Sequence, residues 1–289
     1  MTALQTFESI SLTFEAVDGY NLSGCLYRPE RPDFAVLMSG GTGFPKEFYR
    51  HVAAYLATHG ALVMLFDYRG IGGSAPRRLV GSTIKYTDWG KMDMPAALDA
   101  LALESGDLPI YHLAHSVGGH FAGFMHNHSL IEKHAFVCVG SGYWRKHPLS
   151  FNLFELYFWW VHGPITLALK GYIPHGFGWK GTPLPKGVFS AWKRWCHHPS
   201  YFEKELETTL RPHFFEQITA PIKSWIYSDD LIANQDTAPD ILRSYVKAPS
   251  EIELQVPKAL GVKSIGHQGA FRRGNEALWD QWVAWFWES

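Results

Sequence analysis

The sequence predicts an α/β protein: a mostly parallel central sheet with helices on both faces and a helical insertion late in the chain. Three observations predict it. Short, near-continuous apolar runs alternate with stretches of helical periodicity, as parallel strands buried on both faces and joined by helices require. A hairpin signal opens the chain. Residues 143–220 then break the alternation and hold 18 of the 44 aromatic residues.

Residues 9–28 read as an antiparallel hairpin, "SISLTFEAV" and "YNLSGCLYR" on either side of Asp18-Gly19, a pair suited to a tight turn. "FAVLMSG" (34–40) is a strand, followed by a helix over 47–60 with Phe48, Val52, Tyr55 and Leu56 on one face and Gly60 as its stop. "ALVMLFDYRG" (61–70) precedes a helix around 87–104, and "LPIYHLAHS" (108–116) precedes one that runs through about Asn127. "HAFVCVGSG" (134–142) is a further strand. Strand patterning resumes at "PIKSWIYSDD" (221–230) and "EIELQVPKALGVKSIGH" (251–267), and "NEALWDQWVAWFWE" is a final amphipathic helix. The expected organisation is one elaborated domain, a core of 1–142 and 221–289 with an aromatic-rich cap inserted at 143–220.

A formal net charge of -1 offers nucleic acid no basic surplus. Cys25, Cys138 and Cys196 are scattered, so neither a disulfide framework nor a zinc knuckle is indicated, and a reducing, cytoplasmic compartment is expected. "MTALQTFESISLTF" lacks the basic and apolar regions of a signal peptide. "FNLFELYFWWVHGPITLALKGYI" (151–173) has the length of a membrane span, but Asn152, Glu155, His162, Gly163, Pro164 and Lys170 interrupt it. The expectation is no span, and a lid that makes transient contact with a membrane surface.

"LAHSVGGHF" (113–121) puts Ser116 between a strand and a helix, with Ala114 two places before it and Gly118 two places after. A nucleophile on so tight a turn needs small residues at both positions, because the chain passes close to itself there. The same turn aims the helix N-terminus, and the N–H of Val117, at the reacting centre. A serine at a strand end is also a common helix cap, so the decision rests on the rest of the chain. In parallel sheets, sites lie beyond the carboxyl ends of strands, where Ser116, Asp229, Asp230 and His267 all fall.

"AHSVGG" resembles the nucleophile elbow of the α/β-hydrolase superfamily, G-x-S-x-G, with Ala114 in place of the first glycine. "SGGTG" (39–43) resembles the oxyanion-loop segment of that superfamily, with Ser39 in place of histidine. "FDYRGIGGS" (66–74) resembles its D-x-R-G-x-G-x-S loop. The detailed pattern is most similar to uncharacterised bacterial lysophospholipase-like and serine aminopeptidase-like members. The resemblance covers most of the chain, and the insertion falls where the superfamily carries its variable cap. It implies an α/β-hydrolase fold and the order nucleophile, acid, histidine. Of fifteen histidines, only His267 follows Asp230. Asp229 and Asp230 both qualify as the acid, and "DLIA" favours Asp230. The implied set is Ser116, Asp230 and His267, with an oxyanion hole from the N–H groups of Val117 and Gly41 or Thr42, and neither cofactor nor metal. His115 is expected to pack or hydrogen-bond the elbow.

Other motifs carry less. "GIGGSA" (70–75) fits a dinucleotide fingerprint, but Asp67, Tyr68 and Arg69 intervene and Pro76 follows. His126-Asn127-His128 and His197-His198 lack acidic or thiol partners at metal-site spacing. "GGTGFPK" (40–46) lacks phosphate-loop spacing. On a helix Phe151, Phe154 and Phe158 share a face, and the segment has more rings than one helix can bury. Phe154, Phe158 and Trp159 are expected to line an apolar cleft above Ser116. The expected function is a serine hydrolase, esterase- or lipase-like, acting on an ester, thioester or amide of a hydrophobic small molecule. Acyl transfer, carbon–carbon bond hydrolysis, or ligand reception without catalysis are the alternatives on the same fold.

Overall fold

The computed structural model describes residues 5–288. Its strands are β1 (Phe7–Glu15), β2 (Asn21–Pro29), β3 (Phe34–Ser39), β4 (Ala61–Phe66), β5 (Ile110–His115), β6 (Ile131–Val137), β7 (Tyr172–Ile173), β8 (Leu184–Pro185), β9 (Ile222–Tyr227) and β10 (Ser250–Gln255). The helices are α1 (Arg50–Thr58), α2 (Met94–Ser105), α3 (Val117–Phe121), α4 (Leu149–Tyr157), α5 (Gly163–Lys170), α6 (Lys186–Cys196), α7 (Glu203–Leu206), α8 (Ala238–Leu242) and α9 (Glu276–Trp287). Eight strands form one sheet in the order β1-β2-β4-β3-β5-β6-β9-β10, and β7 and β8 pair separately. The β1–β2 and β2–β4 pairs are antiparallel, and every pair from β4 onward is parallel. This is the expected α/β arrangement.

Burial on both faces explains why the central strands read as unbroken apolar runs. Along β3, Phe34, Val36 and Met38 join the core shared with α1 and α9, while Ala35 and Leu37 join the core shared with α2 and α3. β4 divides in the same way, with Val63 and Leu65 on one side and Leu62, Met64 and Phe66 on the other. Each fully buried side chain of this size contributes about 1.5–3 kcal/mol.

The structure shortens two expected elements. The helix after Ser116 is α-helical only to Phe121 and then tightens into a 3₁₀ turn, Ala122–Phe124. There the Phe215 ring packs so closely on Gly123 that a Cβ would come within 2.2 Å of it. The last strand ends at Gln255 rather than near His267, because Pro257 has no N–H to continue the ladder and Gly261 turns the chain at φ 73°. The helix expected from residue 87 begins with a π turn, Trp89–Asp93, from which Asp93 reaches Arg69.

The "DYRGIGGS" loop is a brace. The Asp67 carboxylate accepts from the backbone and ammonium of Lys46 and from Gly73 N–H. Gly72, at φ 48°, lies where a Cβ would meet that carboxylate at 2.5 Å. Arg69 bridges Asp93 to Asp18 of the β1–β2 turn. The glycines here serve close packing, Gly72 on Asp67, Gly70 on Pro185 and Gly73 on Ser23, and the dinucleotide reading falls away.

Between β6 and β9, α4, a π turn (Phe158–His162) and α5 form one helical run over 149–170. It crosses α6 at Gly163, where the Phe189 ring leaves no room for a Cβ. α6 in turn sets Trp195 against Tyr86, with ring centroids 5.5 Å apart, and against Phe121. The segment thus packs on α3 and on the loop before α2, beside Ser116. Among the described residues, no helix is long and apolar enough to cross a membrane.

Candidate active site

β5 delivers Ser116 to a turn with φ 51° and ψ -114°, a region non-glycine residues rarely adopt. The turn is held by Ser116 N–H donating to the Val137 carbonyl, 3.1 Å away. A Cβ at Gly118 would stand 2.5 Å from the Ser39 carbonyl oxygen, and Ala114 is buried between its partners Ser39 and Phe136. The small residue at 118 is therefore required by the approach of β3.

His267 Nε2 lies 3.1 Å from Ser116 Oγ, and its Nδ1 lies 2.8 Å from Asp230 Oδ2 and 3.1 Å from Oδ1. An ionised carboxylate only accepts, so Nδ1 carries the hydrogen and Nε2 turns its lone pair to the serine hydroxyl. The buried Asp230 carboxylate is held by two further donors, the N–H groups of Ile232 and Ala233. Asp229 points elsewhere and accepts from Ser264 Oγ and from the N–H groups of Ile265 and Gly266. Partial burial opposes its charge, but these donors prevail and hold its pKa below the ordinary value. It clasps the loop that carries His267.

The expected oxyanion donors separate. Val117 begins α3, and its N–H has no partner within the helix. Gly41 is a correction: its N–H donates to Tyr49 Oη at 2.7 Å and is unavailable to a substrate oxygen. Thr42 N–H makes no bond within the described residues, and the Thr42 hydroxyl is tied to Tyr86 Oη. Of the two loop candidates, Thr42 is the one left free.

Tyr49 belongs to a chain that sequence reasoning did not find. His115 Nε2 donates to the His267 carbonyl at 2.8 Å, so the Tyr49 hydroxyl, 2.7 Å from His115 Nδ1, must donate to it. Burial drives the His115 pKa well below that of a free histidine and that of Tyr49 well above a free phenol, so both stay neutral. His120, also buried, is pushed down to about 3 and bonds the Gly140 carbonyl through Nε2. Cys138 lies beside Asp230 and His267, where burial, then the Asp230 charge, keep its thiol protonated.

Above Ser116 opens a cavity of about 1070 Å³, with Phe44, Phe48, Tyr86, Trp179 and Trp192 among its apolar walls. Phe154 and Trp159 line it. Phe158 does not, which is a second correction. It is buried inside the insertion against Trp179 and Phe189, at centroid distances of 5.7 and 5.4 Å. At the polar end, His147 Nδ1 lies 2.9 Å from the Glu155 carboxylate. Trp179 and Thr182 were not foreseen either. Thr182 N–H donates to the Gly43 carbonyl, and the Trp179 ring covers Gly43, which fastens the insertion to the loop after β3.

The family model described as serine aminopeptidase, S33 matches residues 30–259. Among curated proteins, none matches this chain in sequence. Solved structures similar to it include an esterase from Pyrococcus furiosus, 16% identical over 97% of this chain and 90% of that one, with a TM-score of 0.60. A soluble variant of monoglyceride lipase from Saccharomyces cerevisiae, in complex with a substrate analog, is 15% identical over 99% and 96%, with a TM-score of 0.64. A carboxyl esterase from Bacillus coagulans is 15% identical over 97% and 98%, with a TM-score of 0.66. At these identities the likeness is one of fold, and that fold is the α/β-hydrolase fold.

Proposed function

This chain belongs to the serine aminopeptidase S33 family of the α/β-hydrolase superfamily, and from that premise we propose that it is a serine hydrolase cleaving an ester, thioester or amide of a hydrophobic small molecule. The observation that carries the proposal is the continuous relay from Ser116 Oγ through His267 to Asp230, at 3.1 and 2.8 Å. A serine hydroxyl is a weak nucleophile until an oriented base takes its proton.

In this reading Ser116 Oγ attacks the substrate carbonyl carbon as His267 Nε2 accepts the hydroxyl proton. Asp230 holds the Nδ1–H tautomer and stabilises the imidazolium that forms. The N–H groups of Val117 and Thr42 receive the developing oxyanion, in a walled site where fixed donors are worth more than in water. His267 returns the proton to the leaving group, which departs and leaves an acyl-enzyme on Ser116. Water, deprotonated by His267, then attacks the acyl carbon and regenerates the serine.

The 143–220 segment acts as a cap, and Phe154 and Trp159 give its share of an apolar substrate wall. An acyl chain entering that wall gains up to about 0.8 kcal/mol per buried methylene, or about fourfold in kcat/KM. A p-nitrophenyl ester series from acetate to octanoate tests the proposal. Efficiency should climb with chain length. No hydrolysis of any member contradicts the proposed function, and flat or falling efficiency contradicts the hydrophobic-substrate part of it.

A further inference from the structure

The outward face of the 149–170 helical run is the reverse of an ordinary surface helix, which shows charge to water and apolar residues to the core. Here the buried side carries Asn152 and Glu155, while Leu149, Leu153, Trp160 and Leu169 are 84%, 74%, 58% and 79% exposed. Val161 and Ile165 continue the stripe between them, and no charged residue interrupts it before Lys170. Phe177, 81% exposed, extends it beside Tyr157. A contiguous apolar surface of this kind marks an interaction site.

The charge around the stripe identifies the partner. Residues 143–198 contain seven lysines and arginines against one acid; Lys146 pairs with Asp240 and Arg194 with Glu205, which leaves five cations without an ion pair among the described residues, in a chain whose net charge is -1. That acid, Glu155, is buried against His147. Lys193 Nζ stands 3.6 Å over the Trp160 ring, so a cation and an amphipathic indole sit together at the edge of the apolar face. A second copy of this chain, docked face to face, would bring like charge against like charge. Anionic headgroups over acyl chains complement both features.

We propose that this face docks reversibly on an anionic phospholipid bilayer, with the 149–170 run lying in the interface. Phe154 belongs both to the half-exposed face and to the cleft wall, and Trp179 and Lys180, just after Phe177, line the cleft as well. A docked molecule therefore opens its cleft toward the lipid. Docking itself is independent of the proposed chemistry, and only this orientation of the cleft rests on it.

The test is flotation of the full chain with vesicles of phosphatidylcholine, alone or with about 30% phosphatidylglycerol. The protein should float with the anionic vesicles, bind pure phosphatidylcholine at least ~10-fold more weakly, and lose binding at about 0.5 M salt. The double variant Leu153→Asn, Leu169→Asn should weaken binding at least ~10-fold, while hydrolysis of a short soluble ester stays unchanged. Absence of flotation, or flotation unaffected by the double variant, overturns the proposal. So does a vesicle-free dimer that the double variant dissolves, which would assign the face to a second copy. A Ser116→Ala chain that still floats keeps docking distinct from the hydrolase reading.

Discussion

The hydroxyl of Tyr49 lies 2.7 Å from His115 Nδ1, and through that imidazole it couples the loop after β3 to the backbone of His267. Gly41 N–H enters the same chain from the other side. One neutral phenol thus fixes the spacing between the loop that carries Thr42 and the loop that carries the proposed base. Tyr49→Phe leaves two buried polar groups without a partner, at a cost of about 1–3 kcal/mol each. Chemical denaturation should show this loss, and kcat should fall roughly 10-fold with KM little changed. Wild-type stability in Tyr49→Phe would mean the chain of bonds is not formed.

The adjacent acids have different tasks. Asp230→Asn removes the carboxylate that sets the His267 tautomer and should lower kcat by roughly 10⁴-fold while the protein stays folded. Asp229→Asn loosens the clasp on Ser264, Ile265 and Gly266, and should cost stability more than turnover, no more than about 10-fold in kcat. Steady-state kinetics of the two single variants decide the matter. The reverse ranking would make Asp229 the orienting acid.

Much of this site is legible in the sequence because it depends on local spacing. Small residues around Ser116, an acid after an apolar strand and one late histidine can all be read along the chain. What escapes depends on where side chains point. Nothing in residues 41–49 reveals that the phenol of Tyr49 turns back to occupy Gly41 N–H, so Gly41 and Thr42 look equivalent. Phe158 looks like a cleft residue at a spacing of 3.6 per turn, but a π turn begins at that position and changes the period. Phe158 then faces α6, while its neighbour Trp159 lines the cavity. The strand expected to reach His267 ends at Gln255, two residues before Pro257, a stop signal the sequence itself carries.

Acid should unfold the protein early. His112, His115, His120 and His134 are all buried, and burial lowers each pKa in the folded state, to about 3 for His120 and His134. His112 is bound on both sides, to Ser39 Oγ and to His134. In the unfolded chain each binds a proton near about pH 6.5. The unfolded state therefore takes up protons first, so the stability is fully present above that pH and is lost as the pH falls. Each histidine contributes about 1.4 kcal/mol per pH unit below it, and the four together up to roughly 5 kcal/mol between about pH 7.5 and 5.5. Urea unfolding across that interval measures the loss. Constant stability would show that these histidines accept protons in the folded state.

The central claim is that Ser116 is a nucleophile activated by His267, and covalent trapping tests it most directly. A fluorophosphonate reacts with an activated serine and stops at the stable phosphonyl adduct, which intact-protein mass spectrometry weighs and peptide mapping locates. The predicted result is one adduct per chain, on the peptide containing Ser116, absent in Ser116→Ala and greatly slowed in His267→Ala. A folded wild-type chain that remains unlabelled, or an adduct that persists in Ser116→Ala, would contradict the claim.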